Sequence, residues 1–161
     1  LELKKLQNAG VPVLWRPLHE ADGGWFWWGT RGPDNFKRLW NLLYDRLTHH
    51  HGLNNLLWVY TIDDVAWYPG DDVVDLVGMD IYVARTTGTM FSRWESMLSH
   101  FDGRKMIALT ECGGMPDIQA MQSLGVWWLY VNPWTGNLGP SKNDPAALQA
   151  TMTHPGTINL E

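Results

Sequence analysis

The chain has few charged residues, a single cysteine and no long apolar run, and each shortage excludes a class of protein. Only 18% of its 161 residues are charged, against roughly 25% in average proteins, and the net charge is −5. This charge argues against nucleic acid or an anionic membrane as a partner, because binding to either uses a basic patch that releases counterions. Cys112 alone cannot form an intrachain disulfide. The absence of a run of about 18 apolar residues excludes a membrane span.

Tryptophan, in contrast, is abundant, with eleven copies in the chain. The stretch "RPLHEADGGWFWWG" (16–29) places His19 and Glu20 at the end of an apolar run. Four bulky aromatic residues then follow among glycines: Trp25, Phe26, Trp27 and Trp28. A core strand would not carry the carboxylate, and an ordinary loop would not carry three tryptophans. The stretch therefore indicates a binding or catalytic site.

Short apolar runs alternate with helical patterns along the whole chain. Strands are predicted near residues 11–19, 56–61, 76–82, 106–111 and 126–131, and helices over 1–9, 33–52, 90–101, 116–125 and 143–154. This alternation is typical of parallel βα units, either a doubly wound sheet or part of a (β/α)8 barrel. No glycine-rich phosphate loop opens any helix, so nucleotide-binding versions of these folds are disfavoured and no cofactor is predicted.

Polar side chains gather at the carboxyl ends of the predicted strands. They are Arg16, His19 and Glu20 after the first strand, Asp80 and Tyr82 after the third, Glu111 after the fourth, and Asn132 and Trp134 after the fifth. In a βα barrel these ends form the active-site face. Two glutamates from separate strands suggest glycoside hydrolysis by paired carboxyl groups, with retention or inversion decided by their separation. Indole rings would stack on the apolar faces of sugars.

Four linked motifs carry a family resemblance. "RPLHEADGGWFWWG", "WYPGDDVVDLVGMDIY", "LTECGGMPDIQAM" and the tryptophan-bearing last strand resemble the β-mannanases of glycoside hydrolase family 26, in the family's order. The resemblance covers nearly all of the chain and implies an α/β fold, a (β/α)8 TIM barrel. Counted by the family's order, the chain begins before strand four. We therefore expect residues 1–161 to be a single partial catalytic domain holding strands four to eight, since a whole barrel takes about 250 residues.

The resemblance also implies roles for individual residues. Glu20 would be the acid/base and Glu111 the nucleophile of a retaining, endo-acting enzyme that cleaves β-1,4-mannan, galactomannan or glucomannan. The substrate-binding residues implied are His19 at the cleavage site, Tyr82 hydrogen-bonded to the nucleophile, Asp80 and Arg16 in the polar network, Trp134 on the glycone side and Trp25 on the leaving-group side. No metal is implied. The resemblance also implies an enzyme that is secreted or held at the cell surface, although no signal peptide is visible in this chain.

Other interpretations remain open at this point. Related enzymes with the same site cleave mixed-linkage β-glucan or β-1,3-xylan, and a truncated or degenerate barrel could bind glycan without turnover. A non-catalytic carbohydrate-binding module is disfavoured, because its usual β-sandwich has no alternating helices.

Several conspicuous residues have simpler structural interpretations. Three isolated tryptophans, Trp40, Trp58 and Trp94, are expected in the core. Neighbouring strand residues point to opposite faces, so about half of the paired tryptophans should serve packing: Trp27, Trp28, Trp127 and Trp128. His49, His50 and His51 are expected in the last turn of a helix rather than in a metal site. Cys112 is expected to be a buried, inert thiol.

Overall fold

The structure, a computed structural model, describes residues 2–82 and 89–159. Its contacts define two compact units, Leu1–Gly78 and Met79–Glu161. Within the described residues, every helix is too short or too polar to cross a bilayer.

Five helices and five strands alternate along the chain. The first unit contains α1 (Glu2–Asn8), β1 (Val13–Trp15), α2 (Pro33–Asp45), β2 (Leu56–Thr61) and the start of β3 (Leu76–Ile81). The second unit contains the end of β3, α3 (Phe91–Phe101), β4 (Met106–Cys112), α4 (Ile118–Leu124), β5 (Val131–Pro133) and α5 (Pro145–Met152). Each predicted strand and helix is therefore present, although several boundaries differ.

The first unit is a parallel sheet covered by one amphipathic helix. β1 pairs with β2, and β2 pairs with β3, both in parallel. Helix α2 buries Phe36 and Trp40 completely. The Trp40 ring meets Trp58 and Tyr60 of β2 at centroid distances of 5.6 and 5.4 Å, and its Nε1 donates to the Val73 carbonyl at 3.1 Å. The helical spacing of these apolar residues thus produces the packing it predicts.

Two boundaries in the first unit differ from the prediction for identifiable reasons. β1 is limited to three residues because Pro12 and Pro17 flank it and supply no N–H for pairing. The helix predicted over 33–52 is α-helical only to Asp45 and continues as a π turn, Arg46–His50. The turn ends with a hydrogen bond from the His51 amide to the Arg46 carbonyl. The histidines therefore lie at a helix end, as expected.

In the second unit the end of β3, then β4 and β5, are consecutive neighbours in the sheet. β4 pairs with β5 in parallel, with Leu109 opposite Val131 and Cys112 opposite Pro133, and the register is irregular between these pairs. Helix α5 begins at the predicted cap, because the Asp144 carboxylate accepts a hydrogen bond from the Ala147 amide at 2.9 Å.

The last strand begins later than predicted, at Val131 rather than 126. The preceding residues still reach β4, since the Leu129 amide donates to the Ile107 carbonyl at 2.8 Å. Side chains alternate in this segment: Trp127 is exposed and Trp128 is buried, with its Nε1 donating to the Thr89 carbonyl at 3.2 Å. Here the prediction that one tryptophan of each pair serves packing is confirmed.

Candidate active site

Arg16 follows β1 and reaches the end of the neighbouring strand. Its Nη1 donates a 3.0 Å hydrogen bond to Oγ1 of Thr61, the last residue of β2. Because both strands run in the same direction, their carboxyl ends lie side by side. This bond fixes a half-buried guanidinium at that edge of the first unit.

Glu20 occupies an unusual backbone conformation. Its φ is +51° and that of Leu18 is +53°, so two non-glycine residues within three positions lie in the left-handed region. Such conformations persist only where surrounding contacts hold them, and they cluster at functional sites. The Gly23 amide donates to the Glu20 carbonyl at 3.2 Å and begins a short 3-10 turn, Ala21–Gly23.

The Glu20 carboxylate is held by a tryptophan. Nε1 of Trp25 donates to Oε2 of Glu20 at 3.0 Å. Trp25 is nevertheless 66% exposed, although its six-membered ring lies against Gly23, where an added Cβ would fall 2.1 Å from Cη2. The residue therefore combines a hydrogen-bond donor to Glu20 with a broad apolar ring open to solvent.

The aromatic residues of segment 16–29 divide into two kinds. Phe26 and Trp28 stack at a centroid distance of 4.3 Å and an angle of 13°, and the His19 ring lies 4.9 Å from Phe26. Nε1 of Trp28 also donates to the His19 carbonyl at 2.9 Å. Trp25 and Trp27, in contrast, project into solvent. Two rings thus support His19, and the other two present open surface.

Gly29 closes this loop. A Cβ atom at position 29 would lie 1.9 Å from the carbonyl oxygen of buried Ala21. Only glycine allows so close a backbone approach. Residues 19–29 therefore form a closed loop, which we call the acid loop.

Glu111 lies near the end of β4 and is 4% exposed. The Tyr82 hydroxyl donates to Glu111 Oε2 at 2.5 Å, which is the contact that the family resemblance implies. Burying a carboxylate is unfavourable unless it is hydrogen-bonded, and a hydroxyl donor to an ionised group is a strong partner.

The ends of the strands in the second unit are joined by further polar contacts. Thr110 Oγ1 donates to Asp80 Oδ1 at 2.7 Å, and Asn132 Nδ2 donates to the Thr110 carbonyl at 3.3 Å. Thr110 is not among the residues predicted from the sequence. Its signal in the sequence was a hydroxyl residue within an apolar run, directly before Glu111.

Trp134 and Cys112 flank Glu111 in different ways. The Trp134 ring meets Tyr82 edge to face at 6.2 Å and is 46% exposed. Cys112 is fully buried, and its thiol donates to the Gly114 carbonyl at 2.7 Å. Burial raises the pKa of this thiol to about 11, so it is neutral at physiological pH. The prediction that Cys112 is buried is confirmed.

The contacts described above join predicted residues to one another within each unit. Glu20 contacts Trp25, while Tyr82 contacts both Glu111 and Trp134. The three others have partners that the sequence did not indicate: Arg16 bonds Thr61, Asp80 bonds Thr110, and His19 packs on Phe26 and Trp28.

Five strands in sequential order, alternating with helices, form the fold of part of a (β/α)8 barrel, as in the similar solved structures. The chain belongs to glycosyl hydrolase family 26, whose sequence profile matches residues 1–161. It is 43% identical to a mannan endo-1,4-beta-mannosidase of Thermothelomyces thermophilus over 163 residues, covering 100% of this chain and 34% of that protein. The family and fold predicted from the sequence are confirmed.

Two solved structures are similar as well. A GH26-CBM35 β-(1,4)-mannanase of Podospora anserina has a TM-score of 0.90 and 45% identity, covering 96% of this chain and 35% of that one. A β-mannanase from a symbiotic protist of the termite Reticulitermes speratus, complexed with gluco-manno-oligosaccharide, has a TM-score of 0.87 and 40% identity, covering 96% and 49%. The chain spans about a third of the length of the curated relatives it matches.

Proposed function

We propose that this chain is the catalytic part of a retaining endo-β-1,4-mannanase, with Glu20 as acid/base and Glu111 as nucleophile. The observation that carries the proposal is the buried Glu111 carboxylate bonded to Tyr82 at the end of a parallel strand. A nucleophilic carboxylate must be ionised and aimed, and a hydroxyl donor favours both. The similarity to mannanases supports the choice of substrate.

In the first step Glu111 attacks the anomeric carbon of the mannosyl unit. The glycosidic C–O bond breaks, its electron pair moves to the leaving oxygen, and Glu20 gives that oxygen its proton. The products are a shortened chain with a free hydroxyl and a mannosyl ester on Glu111.

In the second step water attacks the same carbon from the opposite face. Glu20, now ionised, takes the water proton, and the ester bond to Glu111 breaks. Both glutamates return to their starting states, and two inversions give net retention of the β configuration.

The remaining residues would bind the sugar chain. Trp134 and Trp25 expose indole faces suited to stacking on the glycone and leaving-group sides. His19 would bind the sugar at the cleavage site, held in place by its aromatic neighbours. Arg16 and Asp80 would belong to the polar network around the cleaved bond.

Two broader expectations belong to the same proposal. Residues 1–161 would act as part of one catalytic domain, and β-mannan or mannooligosaccharides would be the partner. Because a polysaccharide cannot diffuse across a membrane, the enzyme would be secreted. Fractionating a culture that expresses the complete gene, and assaying medium and cells for mannanase, tests the location.

The proposal is tested by hydrolysis of soluble galactomannan, measured as reducing ends, with the protein made from its complete gene. Glu111→Gln, which keeps the shape but removes the charge, should abolish turnover. Initial products observed by NMR should carry the β anomer. Full activity in Glu111→Gln would contradict the nucleophile, and cleavage of mixed-linkage β-glucan or β-1,3-xylan alone would contradict the substrate. Calorimetric binding of mannohexaose without hydrolysis would indicate a non-catalytic protein.

A further inference from the structure

Asp22, which has no role in the proposed chemistry, connects the acid loop to a distant part of the chain. Its Oδ2 accepts hydrogen bonds from the backbone amides of Asp63 at 3.0 Å and Asp64 at 2.7 Å. These amides are 41 and 42 residues away in sequence. Two amide donors on one carboxylate oxygen are charge-assisted bonds, stronger than those between neutral groups.

The segment that donates these hydrogen bonds to Asp22 is itself held by contacts with the rest of the first unit. Oδ1 of Asp64 accepts from the Ala66 amide at 2.9 Å and caps the turn Val65–Trp67. The Trp67 ring packs 5.7 Å from Phe36, a fully buried residue of α2. Asp22 therefore attaches the acid loop to the core of the first unit.

Two further hydrogen bonds of the acid loop are local. Trp25 binds Glu20 five residues away, and Trp28 binds His19 nine residues away. Contacts of this kind hold the loop's internal shape but do not fix its position on the sheet. The left-handed backbone of Glu20 adds to the need for an anchor, because such a conformation relaxes when its surroundings loosen.

We propose that Asp22 is a positioning residue that fixes the acid/base Glu20 by clamping the acid loop to the backbone of Asp63 and Asp64. This inference rests on the proposed function, since it assigns Asp22 its effect through Glu20. A shift of about 1 Å in a catalytic group can reduce a rate by roughly a hundredfold, so a loosened loop should impair proton donation specifically.

The test compares two substrates with different needs for an acid. Cleavage of mannotetraose requires protonation of the leaving sugar, whereas a 2,4-dinitrophenyl β-mannobioside has a leaving group that departs unprotonated. In the protein made from its complete gene, Asp22→Ala should lower kcat/KM for mannotetraose about tenfold or more. For the dinitrophenyl substrate kcat/KM should stay within about twofold of the unmodified protein.

Two further variants make the result specific. Asp22→Asn keeps one acceptor oxygen in the same place, so kcat/KM for mannotetraose should fall less in this variant than in Asp22→Ala. The asparagine variant can be assayed even if the alanine variant does not fold. Asp34→Ala is the control. It removes an aspartate of the same unit whose side chain is 89% exposed and lies 4.0 Å from Lys37. This variant should leave kcat/KM unchanged for both substrates.

Equal losses on both substrates in the Asp22 variants, or no loss on either, would overturn the inference, because a purely structural role would not distinguish the leaving groups. Failure of the unmodified protein to cleave mannotetraose is a separate outcome. It would contradict the proposed function and, with it, any role of Asp22 in that reaction.

Discussion

The Tyr82 hydroxyl, just beyond β3, donates a 2.5 Å hydrogen bond to Oε2 of Glu111 in β4. The same tyrosine ring meets Trp134, which follows β5, edge to face. Tyr82 thus links the buried carboxylate to an aromatic surface that is half open to solvent.

Tyr82→Phe keeps the ring and removes the donor. A hydrogen bond to a charged group is worth about 1.5–3 kcal/mol, so kcat/KM for galactomannan should fall about ten- to a hundredfold. Tyr68→Phe is a matched control, since Tyr68 donates to Asp71 at 2.9 Å in the other unit. If both variants retained full activity, the Tyr82 hydroxyl would have no part in the reaction.

Glu20→Gln should separate the roles of the two glutamates. Without an acid, kcat/KM for mannotetraose should fall at least about a hundredfold, whereas the dinitrophenyl β-mannobioside should be largely spared, because its leaving group needs no proton. Steady-state assays with both substrates measure this ratio. If kcat/KM fell to the same extent for both substrates, the assignment of Glu20 as the acid would be wrong.

Trp134→Ala should weaken binding without unfolding the chain. The half-exposed indole face is available for stacking on a sugar, and its loss should reduce mannohexaose affinity about tenfold by calorimetry. Trp127→Ala removes a comparably exposed ring of the same unit, with 54% exposure against 46%. If both variants bound mannohexaose as tightly as the unmodified protein, Trp134 would serve packing alone.

Cys112 predicts a pH dependence of stability. Burial raises the pKa of its thiol from 9.0 to about 11, more than the hydrogen bond with Gly114 lowers it, so the folded state favours the neutral form. This contribution is fully present below pH 9 and is lost as the pH rises through about 11. Between pH 8 and pH 10.5 the free energy of unfolding in urea should fall more for the unmodified chain than for Cys112→Ala. Parallel curves would contradict the burial effect.

The fold could be predicted largely from local patterns. Helix α2 follows from apolar residues at helical spacing around Phe36 and Trp40. β5 could not be placed as well, because its start depends on an irregular register with β4 between Leu109 and Cys112. Pairing between distant segments is decided by packing, which a local apolar run does not encode.

In the candidate site, too, the sequence predicted some features and could not predict others. The motifs identify Glu20 and Glu111. They do not indicate the hydrogen bond from Trp25 to Glu20, or those from the backbone amides of Asp63 and Asp64 to Asp22. Leu18 and Glu20 also adopt left-handed backbone, and neither residue type signals such a conformation. No residue pattern in the sequence could have located these contacts.

The close approach of Gly29 to Ala21 bears on the order of folding. Two hydrogen bonds within the acid loop, and the close approach of Gly29 to Ala21, join residues fewer than ten positions apart. Short loops form far faster than pairings between distant strands, since less chain entropy is lost. We therefore expect the Trp28 indole N–H to gain protection early in pulsed hydrogen exchange during refolding, before the β2 amides. The segment that carries the acid would then be a kinetically independent piece of the chain, ready before the sheet that supports it.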